Sequence, residues 1–93
     1  MRYERAKLTH VAIRFQGKVY SLPAPNRHHH VVGEIVRQTG VKSVDVPEED
    51  EGFLDEKGTY LNRRQALVSA DLFEQVKPGA VVRAGRLTSE DVW

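Results

Sequence analysis

Along residues 8–15 (LTHVAIRF), Val11, Ile13 and Phe15 alternate with Ala12 and Arg14. That two-residue period belongs to a half-buried strand. Val19, Tyr20 and Leu22 continue beyond Gln16-Gly17, so the pattern predicts a β-hairpin. Pro23-Ala24-Pro25 should end it, because proline offers no N–H to a ladder. The period then changes. Val31, Val32, Ile35 and Val36 form one helical stripe, predicting a helix from Arg27 to Thr39 with Asn26 as cap and Gly40 as left-handed terminator. Residues 41–46 (VKSVDV) read as a short strand closed by Pro47.

A second hairpin is predicted from Gly52-Phe53-Leu54 and Thr59-Tyr60-Leu61 around the turn Asp55-Glu56-Lys57-Gly58. Asn62 then stands as the cap of a second helix, and Gln65 completes a capping box. Ala66, Leu67, Ala70, Phe73 and Val76 should form the buried face of this helix, and Pro78-Gly79 its end. Val81-Val82 suggest a further strand. The expected fold class is therefore α+β: one small domain over residues 1–93, a sandwich of two helices on an antiparallel sheet, in the order ββαβββα. An acidic loop (45–56) and a C-terminal tail (87–93) complete it. So small a core would gain from association, so a homo-oligomer is expected.

Charge changes this picture more than composition does. The net charge is only +1, yet 7 of the 13 acids fall within residues 45–56, which contain no Lys or Arg. The remainder carries 14 basic against 6 acidic residues. A basic body beside a separate acidic loop suits an anionic partner, although a solvated loop would look the same. The absence of cysteine excludes disulfides, thiolate nucleophiles and Cys-based zinc sites. No apolar run approaches the roughly 18 residues of a membrane span, and no signal-peptide core is visible, so no membrane partner and a cytoplasmic location are expected.

Candidate chemistry gathers at the two predicted helix starts. A helix N-terminus attracts anions through its free N–H groups, and Arg27 adds a guanidinium suited to phosphate. The same field disfavours imidazolium, leaving His28, His29 and His30 as neutral bases. Consecutive helical residues point about 100° apart, so the three cannot share one ligand. They also lack the spacing for zinc, and no metal is expected. The plainer alternative is that one histidine packs, one caps and one is solvated. His10 or Tyr20 would be a second proton-transfer group only if the first strand passes the helix start. Arg63 and Arg64 repeat the logic at the second helix.

In the tail, Ser89 with Glu90 and Asp91 reads as a helix cap, and Trp93 as a groove filler or a base-stacking surface. Phosphate loops, dinucleotide fingerprints, HExxH and GxSxG are absent, so no cofactor is expected. The second helix is not basic along a whole face, which disfavours sequence-specific nucleic-acid recognition.

The stretches RFQGKVYSLPAPNRHHHVV, GFLDEKGTYLNRRQAL and LTSEDVW occur in that order. Together they resemble a family of small proteins of bacteriophages and their hosts, with motifs RHxxVI, GFxxxxGxFxxRxxAxxxA and SEDLW. The resemblance covers nearly the whole chain and marks Arg27, His28, Gly52, Phe53, Gly58, Arg63, Ala66, Ser89, Glu90, Asp91 and Trp93. Val92 departs from the usual leucine, and residues 48–51 are unusually acidic. The resemblance implies a counter-defence protein acting on cyclic or ADP-ribose-derived nucleotides.

The resulting expectation is metal-independent phosphodiester hydrolysis of a small nucleotide. Arg27 and Arg63 would hold phosphate, and His28 or His29 would move protons. Glu90 or Asp91 would orient the imidazole, with Trp93 or Tyr60 stacking the base. One alternative keeps the pocket without turnover, as an oligomeric sponge. Another is a protein inhibitor acting through the acidic loop.

Overall fold

The computed structural model describes residues 6–80 and 86–93. Four strands, β1 (Leu8–Phe15), β2 (Lys18–Pro23), β3 (Glu51–Asp55) and β4 (Tyr60–Asn62), form one antiparallel sheet in the order β2-β1-β3-β4. Helices α1 (His28–Thr39) and α2 (Arg63–Leu72) pack on it, with short 3-10 turns at Glu48–Asp50 and Ser89–Asp91. The two-helix α+β layering expected from the pattern is present. Because β1 pairs antiparallel with both neighbours, β2 and β3 run parallel, and α1 carries the chain across β1.

The first hairpin follows from its turn residues. Gln16 and Gly17 both have positive φ, 51° and 78°, the mirror-image turn whose twist suits a two-residue connection. Antiparallel register then places Val11 with Leu22 and Phe53, and Ile13 with Tyr20, on one face. His28, Val31 and Ile35 bring the buried stripe of α1 to the core, and Ala66 and Ala70 bring that of α2. Leu87 joins the same core and is fully buried.

Gly52 leaves no room for a side chain. A Cβ there would lie 2.0 Å from the Leu61 carbonyl oxygen and 3.0 Å from the Asn62 Cα, both backbone atoms that cannot yield. The β3–β4 turn depends on Asp55, which is 2% exposed. Its Oδ1 accepts from the N–H groups of Lys57 at 2.9 Å and Thr59 at 3.0 Å.

Three elements differ from expectation. Residues 41–46 form no strand: Val41, Val44 and Val46 instead lie half-buried against the core. Helix α1 is capped by Arg27 rather than Asn26, whose side chain is turned back to donate to the Pro23 carbonyl at 2.8 Å. Helix α2 stops at Leu72, well before Pro78, because Glu74 adopts φ +55°. The Glu74 N–H reaches the Asp71 carbonyl, and the Gln75 N–H reaches that of Ala70, the bond pattern of a Schellman terminus. Phe73 and Val76 consequently lie beyond the helix. The expected strand at Val81-Val82 lies outside the described residues.

This termination positions a clamp. The Gln75 amide accepts from the Leu8 N–H at 2.9 Å and donates to the Leu8 carbonyl at 3.0 Å, beside the point where the β1–β3 register shifts.

Gly52→Ala is expected to lower stability by at least about 3 kcal/mol, because the obstructing atoms are backbone. Glu74→Gly should raise it by about 0.5–1 kcal/mol by relieving the left-handed conformation. Urea unfolding of both variants checks the two signs together.

Candidate functional site

The starts of the two helices meet across Gly52. His28, the first residue of α1, hydrogen-bonds the Gly52 carbonyl at 2.7 Å. Asn62, the cross-strand partner of Gly52, caps α2 by accepting from the Gln65 N–H at 2.8 Å. The Gln65 side chain returns to the Asn62 N–H at 2.9 Å, completing the capping box. Two helix N-termini, each with a partial positive charge, are therefore tied to one point on β3.

The histidine run divides into three separate tasks, as their angular spacing requires. His28 is 9% exposed and packs edge-on against Phe53, with ring centroids 5.2 Å apart. To donate to a carbonyl its Nε2 must carry the proton. Burial chiefly, with the nearby Arg63 charge adding and the Gly52 hydrogen bond opposing, lowers its pKa from 6.5 to about 4. His30 accepts the Arg27 N–H on Nδ1 at 2.9 Å and so closes the first turn of α1. His29 is exposed, its ring 4.1 Å from that of His30.

The arginines hold the site's unspent valence. Arg27 Nη1 and Arg63 Nε are both buried with no hydrogen-bond partner. A buried charged donor without an acceptor is costly and calls for an explanation. Arg63 has one carboxylate neighbour, with its guanidinium 3.5 Å from Glu51 Oε1, long for a charge-assisted bond. A cavity of about 220 Å³ opens beside it, lined by Glu48, Glu49, Asn62, Arg63 and Arg64. That volume suits a phosphate group, below the roughly 300 Å³ at which pockets begin to enclose whole small molecules.

The acidic stretch is tied to arginines from elsewhere in the fold. Asp50 pairs with Arg14 at 2.9 Å and Glu48 with Arg86 at 2.7 Å. Tyr60 belongs to this layer: its hydroxyl donates to the Glu49 carbonyl at 3.0 Å, and Arg14 covers its ring at 4.5 Å. Burial pushes the Tyr60 pKa up to about 12. Arg14 and Arg86 escaped sequence reasoning, because each lies more than thirty residues from its acid.

Of the tail residues, Trp93 comes to the meeting point. Its Nε1 donates to the Asn26 carbonyl at 2.7 Å, and its ring stands edge-on to Phe53 at 5.8 Å. Asp91 is buried, and its Oδ2 accepts from both the N–H and the hydroxyl of Thr88, so Thr88 rather than Ser89 occupies the cap. Glu90 is exposed on the same turn. His10 bonds its neighbour Thr9 at 2.8 Å, and Tyr20 lies under Lys18. The structure thus groups His28 and Trp93 around Gly52-Phe53, with the Arg63 charge near His28 and Arg27 one residue before it. It sets Tyr60 among the acids, and Asp91 in its own turn.

Residues 7–93 match the family model described as Phage T4 y16D protein. The chain belongs to that phage protein family. No curated protein and no solved structure matches it. The family match begins one residue ahead of β1 and takes in both arginines, His28 and Trp93. Among the described residues no helix is long and apolar enough to cross a membrane, and no group of His, Asp or Glu is arranged to hold a metal ion.

Because His28 binds a proton more readily when unfolded, stability should fall with pH between 6.5 and about 4. The full interval corresponds to roughly 3 kcal/mol at 1.36 kcal/mol per pKa unit. Urea titrations across that interval should show a shallower slope in His28→Gln than in the native protein. Equal slopes would remove His28 as the source.

Proposed function

We propose that this phage-family protein binds a phosphate-bearing nucleotide signal and holds it without turnover, as a counter-defence sponge. The observation that carries this reading is the pair of buried, unpartnered guanidinium nitrogens, Arg27 Nη1 and Arg63 Nε, at two helix starts tied to Gly52. A phosphate oxygen is the acceptor such donors lack, and helix N-termini favour the same charge. The cavity beside Arg63 takes the phosphate, with the nucleoside outside it. Glu48 and Glu49 in the lining favour a ligand carrying few negative charges over a polyanion.

Binding is favoured over hydrolysis because the imidazole nearest the arginines is already committed. His28 Nε2 is engaged by Gly52, and neither Glu90 nor Asp91 contacts it. A general base must reach the proton it removes. A second reading keeps hydrolysis, with the exposed His29 as its base.

The test incubates the protein with cyclic and ADP-ribose-derived nucleotides in EDTA, with chromatography before and after heat denaturation. Sequestration predicts that intact ligand disappears and returns only on heating. Arg27→Ala and Arg63→Ala should each weaken binding by about tenfold or more, the loss of one charge-assisted contact of about 1.5–3 kcal/mol. His29→Ala should leave it unchanged. Product peaks abolished by His29→Ala would establish hydrolysis instead, and untouched ligand throughout would overturn both readings for those nucleotides.

A further inference from the structure

The outward face of α2 carries a pattern of which the proposed ligand site uses only Arg64. Val68 and Leu72 are 51% and 61% exposed, one helical turn apart. Among the described residues only Val19 is another large apolar side chain exposed to a comparable degree. Arg64, Gln65 and Asp71 are exposed on the same helix. The helix therefore reads basic, apolar, acidic along its free side, while Ala66, Ser69 and Ala70 face the core.

That order is complementary to its own reverse. If two copies of α2 lie antiparallel with a two-fold axis through Val68, Val68 meets the partner's Val68, and Arg64 meets the partner's Leu72. Gln65 then meets the partner's Asp71, which also comes within reach of Arg64. Each contact occurs twice, as an isologous interface demands. Antiparallel helices oppose their dipoles favourably, whereas a parallel pair would set like charges side by side. We infer that the exposed face of α2 is the interface of a homodimer of this chain, with Val68 on the two-fold axis and Arg64–Asp71 pairs at either end.

A face of so few side chains buries less than the roughly 800 Å² per partner of a standard stable interface, so the dimer is weak and concentration-dependent. Arg64 also borders the cavity, so association is measured without nucleotide, and the readout is association alone.

The native chain has no cysteine, so one introduced thiol reports one position. Val68→Cys should form a disulfide-linked dimer on mild oxidation with diamide, since a residue on the axis brings its Cβ near the partner's. Val19→Cys, also exposed (40%) but on β2, should stay monomeric. In sedimentation equilibrium between about 10 μM and 1 mM, Arg64→Asp alone and Asp71→Arg alone should each weaken dimerisation about tenfold. The double variant should restore it. Both changes place charge favourably on the helix dipole, so loss of folding does not confound the comparison. A native protein that remains monomeric throughout would overturn the inference. So would equal cross-linking at positions 19 and 68, or a double variant no better than either single.

Discussion

The approach of β3 to β4 at Gly52 is the constraint on which the other contacts depend. With no side chain there, the Leu61 carbonyl occupies the space a Cβ would need, and the two strands close tightly. The Gly52 carbonyl remains available on its other side for His28. Its cross-strand partner is Asn62, the cap of α2. One glycine thereby sets strand spacing, anchors the start of α1 and positions the start of α2. Phe53, the next residue, receives the edges of His28 and Trp93.

Seen from this junction, the histidine and tryptophan have a structural role that is complete without a ligand, whereas the two arginines do not. His28 Nε2 and Trp93 Nε1 each donate to a backbone carbonyl, and Phe53 has no polar side-chain atom. Arg27 and Arg63 retain buried donors without acceptors.

What was legible in the sequence was mainly what local chemistry decides. The β1–β2 hairpin follows from alternation and a turn at Gln16-Gly17, and the α2 start from the reciprocal bonds of Asn62 and Gln65. The end of α2 was hidden because Glu74 adopts a left-handed conformation that glycine usually marks, stabilised by a Gln75 clamp on distant Leu8. The valines of 41–46 carried a strand-like pattern, but Val41, Val44 and Val46 pack against the core rather than pairing with the sheet edge at β2 or β4. The acidic run looked detached because its partners, Arg14 and Arg86, are remote in sequence. The site was partly legible: both helix starts were visible, whereas their meeting at Gly52 is a property of sheet register alone.

The closing of Trp93 onto Asn26, like that of Gln75 onto Leu8, joins residues 67 positions apart. The Leu87 N–H similarly donates to the distant carbonyl of Arg63. Contacts of such separation incur their loop-closure entropy before any packing repays it, so they form after the local hairpin and helices. A chain emerging from the ribosome would hold its first hairpin and α1 together without the ring of Trp93 against Phe53. The junction at Gly52 would therefore be among the last parts to set.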